Sequence, residues 1–393
     1  MIYKNVEIID TAYGGYGVAK VDGGFTVFIP QTVEGDVVDF EIFEKKKTHS
    51  FAKLIKIHKP SKLRREFPCK FFNECGGCQF GHIDYDYQIE IKKRLINNFF
   101  RKVEGFKIDS VITSPEFRYR FRATFRLKNG KFGFLGFKSN KFIPITDCLI
   151  CKETVVEKIS KIANEYKGSE INKCYIIENE KGEALLNTDI KLGNLEDFKD
   201  IIGLKTKNKI LGDSLLKIDV GDFYYYVGFD SFSQSNRFLL REFAEVVVSF
   251  VDENDSVLEL YAGSGFFTHK VAKKAKAVLA IEENREAISL LKKLNVENVD
   301  IIYSKAENIK RIDINPYNTL LVDPPRTGLS KPVIDAISNR FEKIVYVSCN
   351  PSTMARDILR LSNNYDLKKY LFIDMFPNTY HIESIALLER KEG

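Results

Sequence analysis

The chain contains no apolar run of 18 residues and no basic N-terminal region leading into an apolar stretch. Neither a membrane-spanning helix nor a secretory leader is expected, and the sequence reads as a soluble, cytoplasmic protein with no membrane partner. A strong charge imbalance is also missing: 60 Lys and Arg against 54 Asp and Glu leave +6 over 393 residues. So mild an excess is compatible with a polyanionic partner without demanding one. The cysteines do not come in an even number. There are seven, which argues against a secreted disulfide framework. Gly263-Ser264-Gly265 lacks the third glycine of the dinucleotide fingerprint, so by itself it is a weak signal. What is present is apolar content of 44%, enough for buried cores in two or three domains.

The chemistry gathers around Val345-Tyr346-Val347-Ser348-Cys349-Asn350-Pro351. This reads as a buried strand delivering one thiol to its carboxyl end, where a helix starting near Ser352 takes over. In an open α/β sheet that end is where ligands and chemistry sit. A lone Cys there is more often a small hydrophobe closing a strand, but this one has company. Leu320-Leu321-Val322-Asp323-Pro324-Pro325-Arg326 is another apolar strand, and its paired prolines stiffen the exit and set Asp323 at the sheet edge. Ser256 to Thr268 reads as strand, glycine turn and helix, and Ala277 to Glu282 is a second strand ending in an acid. That spacing lets Glu282 hold ribose hydroxyls. Glu259, beside the glycine turn, disfavours phosphate and suits a cofactor with a cationic end, which points to S-adenosylmethionine.

Taken in order, Val257 to Thr268, Glu282, Asp323-Pro-Pro-Arg326, Ser348 to Pro351 and Phe376 to Ser384 resemble the motifs of the RNA uracil-5 methyltransferase family. Ser231-Phe-Ser-Gln-Ser-Asn236 resembles the segment that leads into that family's catalytic domain. The resemblance runs over nearly the whole chain and is greatest to the bacterial 23S ribosomal RNA members. It implies an α/β fold with a Rossmann-like methyltransferase domain over 230–393, preceded by an N-terminal barrel over 1–60 and a central α+β iron–sulfur domain over 61–229. Residues 1–60 already read as a small barrel from short strands: Val6–Ile9, Val21–Pro30, Asp36–Phe43 and Phe51–His58. The family likeness makes it a TRAM module of oligonucleotide-binding type. Lys45-Lys46-Lys47 is either a solvated hairpin tip or, beside RNA chemistry, a phosphate contact.

Behind a linker at 59–65 come Cys69, Cys75 and Cys78, with Cys148 and Cys151 further on. Three thiols in so short a loop need a reason to converge in a reducing cell, and a metal supplies one. Spacing leaves zinc and an iron–sulfur cluster both open. The resemblance implies a [4Fe–4S] cluster on Cys69, Cys75, Cys78 and Cys148, with Cys151 as rival for the fourth place. Tyr85 to Val103 has helical spacing, with a buried stripe of Ile89, Leu95, Ile96, Phe99 and Phe100. In the family this helix packs back on the catalytic domain. Phe117 to Arg126 alternates aromatic and basic residues, which suits stacking and phosphate contact or simply a solvated strand. Arg237 to Phe250 reads as the first helix of the catalytic domain.

The resemblance also implies roles. Gln234 would touch the methionine end of the cofactor, Tyr261 would contact it from the glycine loop, and Asp323 would lie beside methyl donor and target base. Glu307 is a weaker candidate beside the adenine. Carbon 5 of uracil is a poor nucleophile, so a thiolate must first add at carbon 6, and Cys349 suits that step. The carbon-5 proton must afterwards leave, which needs a base, and Glu383 fills that role. His381 reads as structural. The expected partner is 23S ribosomal RNA, with the T-loop of transfer RNA as alternative, and the protein is expected to be a monomer. A competing enzyme reading is an N-methyltransferase, which leaves Cys349 and Glu383 without work. A competing class is an RNA-binding assembly factor without catalysis.

Overall fold

The computed structural model describes residues 1–190, 198–207 and 209–392. The chain divides into two compact units: Met1–Asn98, Phe134–Ile145 and Phe376–His381 form the first, and Phe99–Gly133, Thr146–Met375 and Ile382–Gly393 the second.

The first unit begins with strands β1 (Ile2–Glu7), β2 (Asp10–Ala12), β3 (Tyr16–Val21), β4 (Phe25–Pro30), β5 (Val37–Lys45) and β6 (His49–Lys59). They form one curled sheet in the order β1-β5-β6-β4-β3-β2. Period-two alternation decides the inside: Val38 and Phe40 are buried while Glu41 faces solvent. Ile8, Ala19, Val21, Val27, Ile29 and Ala52 complete that core. At the β5–β6 tip, Lys46 pairs with Glu44 at 2.8 Å and Lys45 lies over the Phe25 ring. Two of the three lysines are thus already engaged locally.

Helix α1 (Tyr85–Phe100) buries Ile89, Leu95, Ile96 and Phe100 of the expected stripe, while Phe99 is only half-buried. It ends three residues before Val103. There Val103 donates its N–H to Phe100 O at 2.8 Å, and Gly105 adopts a left-handed φ of 64°, closing the helix with a tight turn.

Next come β7 (Ser110–Ile112), β8 (Arg122–Lys128), β9 (Lys131–Leu135), β10 (Phe142–Ile145), α2 (Glu153–Glu165), β11 (Asn172–Glu178), β12 (Ala184–Thr188), β13 (Ile201–Lys205), β14 (Ile210–Gly212), β15 (Leu215–Asp219) and β16 (Tyr224–Gly228). In the basic–aromatic stretch only the part from Arg122 onward is strand. Arg118 adopts a left-handed φ of 55°, and its guanidinium grips both oxygens of Asp147 at 2.9 Å. It also donates to the carbonyls of Cys148 and Cys151 at 2.9 and 3.3 Å. Arg118 therefore staples a loop, and a phosphate contact would have to break that fork.

The rest of the second unit is doubly wound: α3 (Leu240–Ser249), β17 (Ser256–Leu260), α4 (Phe266–Ala272), β18 (Ala277–Glu282), α5 (Arg285–Lys292), β19 (Val299–Tyr303), β20 (Thr319–Val322), α6 (Lys331–Ile337), β21 (Lys343–Ser348), α7 (Pro351–Leu361), β22 (Tyr365–Ile373) and β23 (Glu383–Arg390). The sheet order is β19-β18-β17-β20-β21-β23-β22-β7. Strands β17 to β21 are parallel, and β23 runs antiparallel between β21 and β22. Its central strands are nearly all apolar because helices cover both faces. Leu320, Leu321, Val322 and Ile344 to Val347 are fully buried.

Two details differ from expectation. The three-residue strand β7, far upstream of residue 230, completes this sheet beside β22. Helix α3 starts at Leu240 because the preceding residues spend their backbone elsewhere. Arg237 donates its N–H to Tyr119 O at 2.9 Å, and Asn236 Oδ1 accepts from Phe238 N at 3.0 Å.

Candidate active site

The sheet order reverses between β17 and β20, each connected onward in an opposite direction, and such a switch point opens a crevice at the carboxyl ends of the strands. The register places the candidate residues along that single edge. Leu260 pairs with Ile281 and with Val322, and Val322 pairs with Tyr346. Tyr261, Glu282 and Asp323 consequently emerge side by side from β17, β18 and β20, and Cys349 follows the end of β21, a little beyond that level. Strand β23 enters from the opposite direction. Ser384 is opposite Ser348, so Glu383 falls on the rung beside Cys349.

One side of this crevice is built on the glycine turn. Tyr261 is held at a left-handed φ of 63°, a conformation that non-glycine residues adopt at a cost and mostly at functional sites. Gly265, at φ 90°, has no room for a side chain: a Cβ there would lie 2.5 Å from Leu291 and 2.7 Å from Leu294. Glu282 shapes the turn directly. Its carboxylate accepts the N–H of Gly263 at 2.9 Å, and those of Glu283 and Asn284 at 2.9 and 2.7 Å. Gln234 is buried in the segment before α3. The Tyr225 hydroxyl bonds Ser233, and the Tyr225 ring sits edge-on to Phe266 at the start of α4. That chain of contacts sets the Gln234 segment beside the glycine turn. Glu307 lies in the first turn of a 3₁₀ helix over Ala306–Arg311 and accepts from the Ser330 hydroxyl at 3.0 Å.

Acidic groups crowd this edge. Glu259 is buried, and its carboxyl is pushed up to about 8, first by burial and then by the charges of Asp323 and Glu282, with the Thr268 hydroxyl opposing. Burial pushes Asp323 up to about 7. Glu383, 5% exposed, is held well above the ordinary carboxylate range by burial and then by Asp323, against Arg326. The Cys349 thiol is pushed up to about 11 by burial, Glu383 and Asp323, while Arg326 pulls it down. Burial thus disfavours ionisation of all four groups, and for Glu259, Glu383 and Cys349 a neighbouring acid adds to it. A cation bound there would relieve the strain, and clusters of perturbed groups of this kind mark functional sites.

The loops that carry Asp323 and Cys349 are fastened together by residues that sequence reasoning missed. Asn350, the N-cap of α7, donates its side-chain amide to Arg326 O at 3.0 Å, and the Thr353 hydroxyl donates to the same carbonyl at 3.2 Å. Asp357, fully buried, accepts from Leu329 N at 2.7 Å and from the Tyr346 hydroxyl at 2.9 Å. Arg356 donates to Thr327 O at 2.8 Å. An acid and an arginine on a helix face give no local signal of this role. The spacing of Asn350, Thr353 and Asp357 on one side of α7 is the only trace in the sequence.

Not all cysteines join this site. Cys69, Cys75, Cys78 and Cys148 are partly exposed thiols outside any disulfide, and Cys151 and Cys174 are buried. Gly76 lets its loop lie against the neighbouring strand, since a Cβ there would come within 2.9 Å of Phe137 N and 3.0 Å of Leu135 O. Among the described residues, no three His, Cys, Asp or Glu side chains are gathered closely enough to hold a metal ion. Nor is any helix among them long and apolar enough to cross a membrane.

Comparison with known proteins agrees with this architecture. Residues 3–55 match the TRAM domain, and residues 177–391 match the tRNA (Uracil-5-)-methyltransferase family. The 23S rRNA (uracil(1939)-C(5))-methyltransferase RlmD of Aliivibrio fischeri is 29% identical, over 99% of this chain and 96% of its own. The tRNA (uracil(54)-C(5))-methyltransferase of Pyrococcus horikoshii is 30% identical, over 95% of this chain and 99% of its own. In structure, the Pyrococcus abyssi tRNA (uracil-54, C5)-methyltransferase in complex with S-adenosyl-L-homocysteine superposes with a TM-score of 0.81 at 23% identity, covering 98% of this chain and 100% of that one. The chain belongs to the tRNA (Uracil-5-)-methyltransferase family and is an S-adenosylmethionine-dependent RNA uracil-5 methyltransferase, with a TRAM barrel ahead of a Rossmann-like catalytic fold.

Proposed function

We propose that this enzyme methylates carbon 5 of a uridine in 23S ribosomal RNA through a transient covalent bond between Cys349 and carbon 6 of the uracil. The observation that carries the reading is that Cys349 and Glu383 fall opposite each other, one step past the Ser348–Ser384 pair of β21 and β23, and that both feel the charges of Asp323 and Arg326. The acidic donor set at the crevice suits S-adenosylmethionine: Glu282 for the ribose, Tyr261 and Gln234 against the remaining parts, and Asp323 and Glu259 toward its cationic end. When bound, the cofactor supplies a methyl group on a positively charged sulfur.

The chain's own residues do the rest. The Cys349 thiolate forms a bond to carbon 6, and the displaced electron pair moves onto the carbon 5–carbonyl system. Arg326 favours the thiolate form. Addition turns sulfur into a neutral thioether, which removes one negative charge from beside Glu383 and eases ionisation of that carboxyl. Once carbon 5 carries its methyl, the Glu383 carboxylate takes the proton from carbon 5. The electron pair of that C–H bond restores the ring double bond and expels the Cys349 sulfur. A base inside folded RNA must be flipped out first. On this reading the TRAM barrel over 1–60 and the middle segment over 61–229 grip the RNA, and 230–393 perform the transfer.

A specific observation favours a second target. The Pyrococcus horikoshii relative, similar along nearly its whole length, is named for uracil 54 of transfer RNA, which makes that uridine the alternative to the ribosomal one. The deciding experiment maps 5-methyluridine by mass spectrometry in ribosomal and transfer RNA from a strain deleted for the gene. Loss from 23S ribosomal RNA alone supports the first reading, and loss from transfer RNA alone the second. Loss of a methyl from an exocyclic nitrogen would overturn both.

We also propose, although no three described side chains are gathered for an ion, that Cys69, Cys75, Cys78 and Cys148 ligate a [4Fe–4S] cluster. Four partly exposed thiols are a soft donor set suited to iron, and Cys151 is the rival for the fourth place. Protein purified without oxygen is expected to hold about four iron and four sulfide per chain, falling on Cys75→Ala substitution. Stoichiometric zinc without iron would end the cluster assignment.

A further inference from the structure

We propose that Gln88 and Lys92 of helix α1 are positioning residues for the turn that delivers Glu383, an inference that rests on Glu383 being the carbon-5 base. Both side chains are fully buried. Four positions apart, they lie on one face of α1. A buried amide and a buried ammonium persist only where something satisfies them, and here that something is the Phe376-Pro377-Asn378 turn. Asn378 donates its backbone N–H to Gln88 Oε1 at 2.9 Å, and Gln88 Nε2 donates to Asn378 Oδ1 at 3.1 Å and to Ile83 O at 3.0 Å. Lys92 Nζ donates to Phe376 O at 3.2 Å. Arg65 reaches the same Asn378 Oδ1 at 2.6 Å, and Phe80 N donates to Asn378 O at 2.9 Å.

These bonds hold a strained turn. Asn378 is fully buried with a left-handed φ of 65°, which asparagine tolerates better than most residues but which still needs support. Thr379 closes the turn onto Phe376 O at 2.9 Å. From there the chain runs through His381 and Ile382 straight into Glu383, the first residue of β23 and the one paired with Ile373 at the end of the β22–β23 hairpin. The pairing with Ile373 fixes one side of Glu383, and the backbone that enters it comes directly from this turn. Displacement of about 1 Å in a catalytic group costs on the order of a hundredfold in rate.

The test uses full-length protein, S-adenosylmethionine and total RNA from a strain lacking this enzyme, under single turnover. Gln88→Leu removes the amide at similar volume, and Asn378→Gly keeps the left-handed backbone while deleting the side-chain bonds. Both are expected to form the methylated covalent adduct at near the wild-type rate and to release it roughly a hundredfold more slowly, so that adduct accumulates on denaturing gels. Release at the wild-type rate in both variants, or an equal loss in adduct formation and release, overturns the positioning role. If Glu383→Gln itself traps no adduct, the underlying base assignment fails instead, and the two failures are told apart.

Discussion

Cys349→Ala is expected to lower turnover by more than about 10⁴-fold while leaving S-adenosylmethionine affinity within about twofold of wild type. The asymmetry follows from placement. The groups proposed for the cofactor, Tyr261, Glu282 and Asp323, leave β17, β18 and β20, whereas Cys349 follows the last residue of β21, one strand further along the sheet. Removing the thiol deletes the only proposed source of electrons for carbon 5, and no neighbouring side chain can replace a nucleophile that is also a good leaving group. The raised thiol adds a pH signature. With Cys349 pushed up to about 11, the thiolate is a minor species near neutrality, so wild-type adduct formation climbs as pH rises from about 6.5 to 8.5. Isothermal titration for cofactor and single-turnover transfer of labelled methyl to RNA measure the two quantities. Retained turnover in the alanine variant would remove Cys349 from the mechanism.

The parts of this site that end parallel strands are legible in the sequence alone. An apolar run closing in Asp323-Pro324 or in Cys349-Asn350-Pro351 carries its own stop signal, and period and punctuation are local properties. What sequence cannot carry is which strand lies beside which. Glu383 neighbours Cys349 only because β23 inserts antiparallel between β21 and β22, and nothing in His381-Ile382-Glu383-Ser384 announces that partner. Here the motif likeness supplies what periodicity cannot. Strand β7 is three residues long and gains its identity wholly from pairing with β22. Arg118 illustrates the reverse error. Alternation of aromatic and basic residues suggests a strand displaying charge, but the carboxylate of Asp147 and two carbonyls outcompete the β conformation at that position. Gln88 and Asn378 are 290 residues apart, and neither looks functional until the fold brings them together.

Glu383→Gln is expected to separate the two halves of the reaction: methyl transfer proceeds, but release slows by about 10²- to 10⁴-fold, the usual worth of a positioned base. Glutamine matches the shape of the protonated acid, which is the form that burial and Asp323 favour in the free protein. The variant should therefore fold normally and bind RNA. Without a carboxylate the carbon-5 proton stays, the ring double bond cannot re-form, and sulfur cannot be expelled. A methylated RNA–protein adduct should survive denaturing electrophoresis and contain both the Cys349 peptide and labelled methyl by mass spectrometry. Stability supplies an independent check with a definite sign. A carboxyl whose folded-state value is raised contributes stability that is full below the unfolded value and is lost as pH rises through the folded one. Wild-type protein should lose melting temperature over that alkaline-going window, and Glu383→Gln should lose less. Free product release at the wild-type rate, together with an unchanged pH–stability profile, would show that the buried carboxylate beside Cys349 does not take the proton.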